Sequence, residues 1–191
     1  TVSLFYNAIK NMINFGQNPT NPTEVTYINI DQFKTKGITV NFNAKTDHHQ
    51  LNTSVSSIAR QNIITANDLV IPNFNWSPEF SLSYIWMPTN KLSIGIFQKY
   101  TGKLPYYESV IVNGSLKTNQ AILDHYLLSD INCTKKINRS LQLSLGIRNL
   151  FDVKQINNTS IAGGVHTAGG SQAIGYGRSL FVTMDYNLGR K

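Results

Sequence analysis

Strict alternation of apolar and polar side chains limits what this chain can fold into more than any other feature. In GYGRSLFVTMDYNL (175–188), Leu180, Val182, Met184, Tyr186 and Leu188 occupy every second position, with Thr183, Asp185 and Asn187 between them. A period of two belongs to a β-strand with one oily and one wet face. The pattern recurs. Leu141, Leu143, Leu145 and Ile147 stand opposite Gln142, Ser144, Gly146 and Arg148. Leu92, Ile94 and Ile96 stand opposite Ser93 and Gly95; Phe80, Leu82, Tyr84 and Trp86 opposite Ser81 and Ser83; Ile38, Val40, Phe42 and Ala44 opposite Thr39, Asn41 and Asn43. Segments 51–60 and 125–136 are weaker strands, and VSLFYNAIKNMI at the start completes about eight, an allowed barrel number. No window of similar length carries a helical period, and no repeat appears beyond the strand–turn rhythm.

The connections alternate in length. TDHH (46–49), PTN (88–90) and INRS (137–140) are short; 14–24, 63–78, 102–121 and 152–174 are long. All six prolines (Pro19, Pro22, Pro72, Pro78, Pro88, Pro105) are expected in these connections, since proline is excluded from paired strands. Antiparallel strands with short turns at one end and long loops at the other describe a transmembrane β-barrel. The polar face is rich in Ser, Gly, Thr and Asn, as a wet lumen would be. Tyr84 and Trp86 precede a short turn, while Tyr100, Phe151 and Tyr176 fall at long-loop ends, where interfacial girdles belong. A soluble β-sandwich alternates too. Loop alternation, low charge (14% against roughly 25% in soluble domains) and placed aromatics favour the barrel.

Composition excludes other classes. The net charge is +7, but the basic residues are scattered, so nucleic acid is not an expected partner. Cys133 is the single cysteine, which rules out an internal disulfide and argues against structural zinc. No apolar run is long enough for a membrane helix, and the N-terminus is no signal peptide but begins within a strand, as if cut from a longer chain. Enzyme motifs are missing: no nucleophile elbow, phosphate loop or HExxH. Asp124 and His125 are adjacent, so on a strand they would point to opposite faces. No catalytic residue, metal site or cofactor is expected. His48 and His49 form a pair without a third ligand and read as solvated; His125 has no evident partner.

Two segments carry a resemblance. LGIRNLFDVKQIN (145–157), with Asn149, Leu150, Phe151, Asp152 and Lys154, resembles the penultimate strand of TonB-dependent outer-membrane receptors. GYGRSLFVTMDYNL, with Gly177 and Arg178, is similar to their last strand, and 4–13 and 33–45 to earlier ones. The Asn-, Ile- and Lys-rich style resembles Bacteroidetes members. The resemblance covers residues 1–191 and implies the C-terminal part of a 22-stranded barrel, without its N-terminal plug domain. Such barrels usually end on an aromatic residue, whereas this chain runs past Leu188 to Gly189, Arg190 and Lys191.

The resemblance implies a receptor in the Gram-negative outer membrane. Its function would be energy-coupled uptake of a scarce large ligand: a ferric siderophore, haem or cobalamin. Its partners would be outer-membrane lipid, the TonB energy-coupling complex through the missing N-terminal region, the transported ligand and, as a candidate, a surface lipoprotein. A small eight-stranded barrel with a structural or adhesion role is the alternative. In such a receptor the long loops bind ligand. The candidates are His166, Gly163, Gly164, Gly169 and Gly170 in the richest loop, and Tyr106 and Tyr107, which could stack on an aromatic or macrocyclic ligand. Asn149, Leu150, Phe151, Asp152, Gly177 and Arg178 are assigned to rim architecture. Phe181 breaks the pattern as an aromatic on the wet face, expected to pack on the plug or a neighbouring strand.

Overall fold

The computed structural model describes residues 1–17, 24–63, 74–112, 115–160 and 170–188. Every regular element among them is a strand. Eight strands form one antiparallel sheet: β1 (Val2–Gln17), β2 (Val25–Lys45), β3 (His49–Ile63), β4 (Asn75–Thr89), β5 (Leu92–Thr101), β8 (Tyr126–Lys136), β9 (Leu141–Arg148) and β12 (Ser179–Tyr186). Each expected strand segment falls on one of them. The order β1-β2-β3-β4-β5-β8-β9-β12 is open, and β1 and β12 are its two edges. A closed eight-stranded barrel is therefore not what this chain forms.

Register turns the alternation into two faces. Val2 pairs with Val40, Val40 with Val55, and Val55 with Phe80. Farther along the sheet, Ile96 pairs with Ile131, Ile131 with Ile147, and Ile147 with Leu180. Directly paired residues share a face, so these rows make one apolar face from β1 to β12. Nothing among the described residues covers it. Leu180 and Val182 are 78% and 79% exposed, and the buried apolar residues among those described are only Ala59, Ala121 and Ile156. A water-soluble sandwich would bury this face; here the oil is outside.

The opposite face is polar and closely knit. Thr39 and Ser56 share a hydrogen bond across strands at 2.9 Å, as do Thr134 and Ser144 at 2.9 Å. Aromatics on this face lie over glycines. Phe5 sits on Gly37, where an added Cβ would come within 2.8 Å of the ring, and Phe181 sits on Gly146 at 2.6 Å. The expected packing of Phe181 on a neighbouring strand is thus realised on β9, and a missing side chain on one strand seats a ring from the next.

Three sequence expectations need correction. Segments 102–121 and 152–174 are not simple loops. They contribute β6 (Leu104–Val112), β7 (Ser115–Leu123), β10 (Gln155–Asn158) and β11 (Gly170–Ala173), a second sheet in the order β11-β10-β7-β6. The signal was present: Val110-Ile111-Val112 is β-branched, and the following Asn113-Gly114 is the strongest hairpin dipeptide. Second, the first connection is shorter than 14–24, because the β1–β2 ladder runs to Gln17 opposite Val25. Third, Pro78, Pro88 and Pro105 lie inside strands. Pro78 pairs with Ser57, but its carbonyl accepts from the Gly102 amide at 2.8 Å on the β5 side, just past the last β4–β5 pair. The amide and carbonyl of a strand residue face the same way, so the missing N–H falls where no ladder continues. Pro88 lies in the register shift between Trp86 and Thr89.

Candidate functional site

The loop-side ends of β8, β9 and β12 are tied by the residues of the Asn-Leu-Phe-Asp stretch. Asn149 and Asp152 both take left-handed backbone, at φ 50° and 58°. Asn and Asp tolerate that region because their short side chains can hydrogen-bond locally. Asn149 uses both ends of its amide on Val153: Nδ2 donates to the carbonyl at 2.8 Å and Oδ1 accepts from the amide at 3.0 Å. Its own N–H donates to Asp130 Oδ1 at 2.8 Å, and the Leu150 amide donates to the Ser129 carbonyl at 2.6 Å. Phe151 is left exposed.

Asp152 then fastens β12. Its Oδ1 accepts from the Arg178 backbone amide at 2.7 Å, and its Oδ2 meets Lys154 Nζ at 3.1 Å. The Arg178 amide, followed by the Lys154 ammonium, holds the Asp152 carboxyl below its ordinary value. Arg178 and Asp152, both assigned to the rim, are therefore joined through the Arg178 backbone. The Arg178 side chain is not the partner; the carboxylate's ion pair is with Lys154. Gly177 has φ 86°, and a Cβ there would stand 2.7 Å from Asp152 Oδ1.

A second polar knot joins the two sheets. His125 Nδ1 lies 2.9 Å from Asp124 Oδ1, Lys103 Nζ lies 3.5 Å from the same oxygen, and the Tyr100 and His125 rings are tilted against each other. His125 therefore has a partner, contrary to expectation. The alternation argument fails because neither residue lies in a strand. The His125 amide and ring, with Lys103 adding charge, hold the Asp124 carboxyl below its ordinary value. Asp124 is half-buried and His125 exposed, and with Lys103 the pair reads as a clasp.

Of the loop candidates, His166, Gly163, Gly164 and Gly169 lie outside the described residues. Gly170 opens β11 with φ 124° and nothing near it. Tyr106 donates from its hydroxyl to Asn158 Oδ1 at 2.9 Å and bridges the strands of the second sheet. Tyr107 pairs by backbone with Gln120. At the turn side, His48 and His49 are tied and not merely solvated. His48 Nδ1 lies 2.9 Å from the Met87 carbonyl, and His49 Nδ1 lies 2.8 Å from the Tyr84 hydroxyl. No cluster of three metal-ligating side chains exists among the described residues.

Two charged groups missed by sequence reading stand out, both on strands. Lys36 Nζ lies 4.1 Å from the Phe74 ring centroid and 5.7 Å from Trp76, on the apolar side. On the polar face Arg60 Nη2 reaches Glu79 Oε1 at 3.4 Å. For Lys36 the available signal was a charge interrupting a strand's alternation; Arg60 keeps the alternation and carried no such signal.

Residues 1–150 match the model of the family described as TonB dependent receptor-like, beta-barrel. Among solved structures the chain is similar to the ferripyoverdine receptor of the Pseudomonas aeruginosa outer membrane bound to ferripyoverdine, at 20% identity and TM-score 0.61. That match covers 97% of this chain and 24% of the receptor. A mutant of the ferric enterobactin receptor of the same organism aligns at 17% identity and TM-score 0.60, over 97% of this chain and 28% of that one. The FpvAI–pyocin S2 complex aligns at 18% identity and TM-score 0.62, over 97% and 25%. The chain thus spans about a quarter of the receptors it matches, and at these identities the likeness speaks for the fold. No curated protein sequence matches.

Proposed function

Because the chain belongs to the TonB-dependent receptor-like β-barrel family, we propose that it is wall and loop-side rim of an outer-membrane receptor. That receptor would import a scarce iron chelate, of the ferric siderophore class, by energy-coupled transport. The carrying observation is the uncovered apolar face and its two tryptophans. Trp76 and Trp86 lie on that face of β4, 50% and 43% exposed, with Phe80, Leu82 and Tyr84 between them. Ten residues of strand span roughly 33 Å. At a barrel tilt of about 40° that becomes about 25 Å, the height of an apolar band between aromatic girdles. Lys36, held over Phe74 and Trp76, suits one interface, where a long cation keeps its stem in oil and its head in water.

On this reading the apolar face meets lipid and the polar face lines the lumen. An open sheet would leave both edge strands with unpaired amides and carbonyls, each costing several kcal/mol in hydrocarbon. The rest of the barrel would pair β1 and β12, and the plug and TonB-contacting segment would come from the same remainder. The ferric siderophore reading is supported by the fold neighbours, which are receptors for ferripyoverdine and ferric enterobactin. Uptake by cells carrying the full-length gene tests it. Labelled ferric siderophores, haem and cobalamin are offered with and without inner-membrane energisation. Energised accumulation of a ferric chelate is expected; accumulation of none of the three would refute the reading, and haem or cobalamin alone would move the ligand class.

A further inference from the structure

The loop-side half of the polar face holds an under-satisfied cation. Arg60 on β3 makes one long contact to Glu79, at 3.4 Å, and its Nη1 is buried with no hydrogen-bond partner among the described residues. Ser77 on β4 is fully buried, and its Oγ likewise has no partner. Register shows why the two belong together. Arg60 pairs with Asn75, Ile58 with Ser77, and Ser56 with Glu79. A side chain reaching from 60 to Glu79 therefore runs over Ser77. Lys99 on β5 pairs with Ser81, diagonal to Glu79 and on the same face, and is exposed. Two cations thus flank one carboxylate, and two donors stand idle.

A buried donor without an acceptor raises the free energy of the resting state. A guanidinium presents a planar fork that a carboxylate fills with two parallel bonds. We infer that this patch is the seat for an oxyanion carried by the imported ligand: Arg60 turns from Glu79 to bind it, uncovering Ser77 Oγ as a second donor, with Lys99 as the flanking charge. The inference rests on the receptor reading for its ligand and names one chemical feature of it, a carboxylate or equivalent oxyanion.

Citrate at constant ionic strength is the probe, titrated by calorimetry into the full-length receptor in detergent. Citrate binds wild type, Arg60→Gln weakens it about tenfold or more, and Arg60→Lys retains part of the affinity. Ser77→Ala and Lys99→Gln each cost a few-fold. Heat-modifiable migration checks that each variant is folded; Lys99→Gln, at an exposed site, decides the matter if Arg60 variants misfold. No citrate binding by wild type, or affinity unchanged in folded Arg60→Gln and Lys99→Gln, overturns the seat. Uptake separates the two ideas. A receptor that imports a ferric chelate with Arg60 inert keeps the transport reading and loses the seat; one that binds citrate through Arg60 but imports nothing does the reverse.

Discussion

At Gly177 a single methyl group decides the shape of the rim. The backbone is left-handed there, and an added Cβ would press on both Lys154 and Asp152. Gly177→Ala is expected to destabilise the full-length receptor by about 1–3 kcal/mol, read in denaturant melts. Asp152 adds a pH signature. Its carboxyl sits below the ordinary 3.8 when folded, so its contribution is fully present above that value and is lost as pH falls through the lower, folded one. Protection of the Arg178 amide, measured by hydrogen exchange against Asp152→Asn, should exceed the variant's from neutral pH down to about 4 and converge with it in stronger acid. The motif residues were legible in sequence, because Asn, Asp and Gly are the residues that accept left-handed backbone. Their bonding was not: which atom of Arg178 meets Asp152 depends on where β12 enters the sheet.

Single strands carry the two-faced character. Ile131 sits mid-row between Ile96 and Ile147 on the apolar face, and Ser144 faces Thr134 on the other. If oil and water lie as assigned, Ile131→Lys should cost about 2–4 kcal/mol, and a charge at Ser144 much less. Assembled, heat-modifiable receptor in outer-membrane fractions measures both; equal losses would put the faces in similar surroundings. The eight sheet strands could be read from period two, clearly in most of them and more weakly in 51–60 and 125–136. The four strands of the second sheet escaped that reading for a physical reason. β10 and β11 are four residues each and pair mainly with one another, too short for any period to show. β6 and β7 carried an Asn-Gly hairpin cue that segment length concealed. The prolines misled because an interior proline is tolerated wherever its missing N–H faces no ladder.

As a whole, the main sheet of the molecule has an apolar face that no described residue covers, and two open edges. Neither property makes sense for a free domain, and both do for a wall segment. Polarity of the faces was visible in the alternation; a strand count of eight leaves closure undecided, and the open sheet followed from the resemblance to one part of a larger barrel. The site was least legible, because Arg60 on β3 meets Ser77 and Glu79 on β4 only through the register of the two strands. The central claim is that alternate residues of one strand face lipid and lumen. Spin labels placed singly at 180–187 of the full-length receptor, with Cys133 replaced by serine, test it directly in bilayers. The account predicts accessibility to oxygen peaking at 180, 182, 184 and 186, and accessibility to a water-soluble nickel chelate peaking at the residues between. Uniform accessibility along the strand, or the opposite phase, would contradict it.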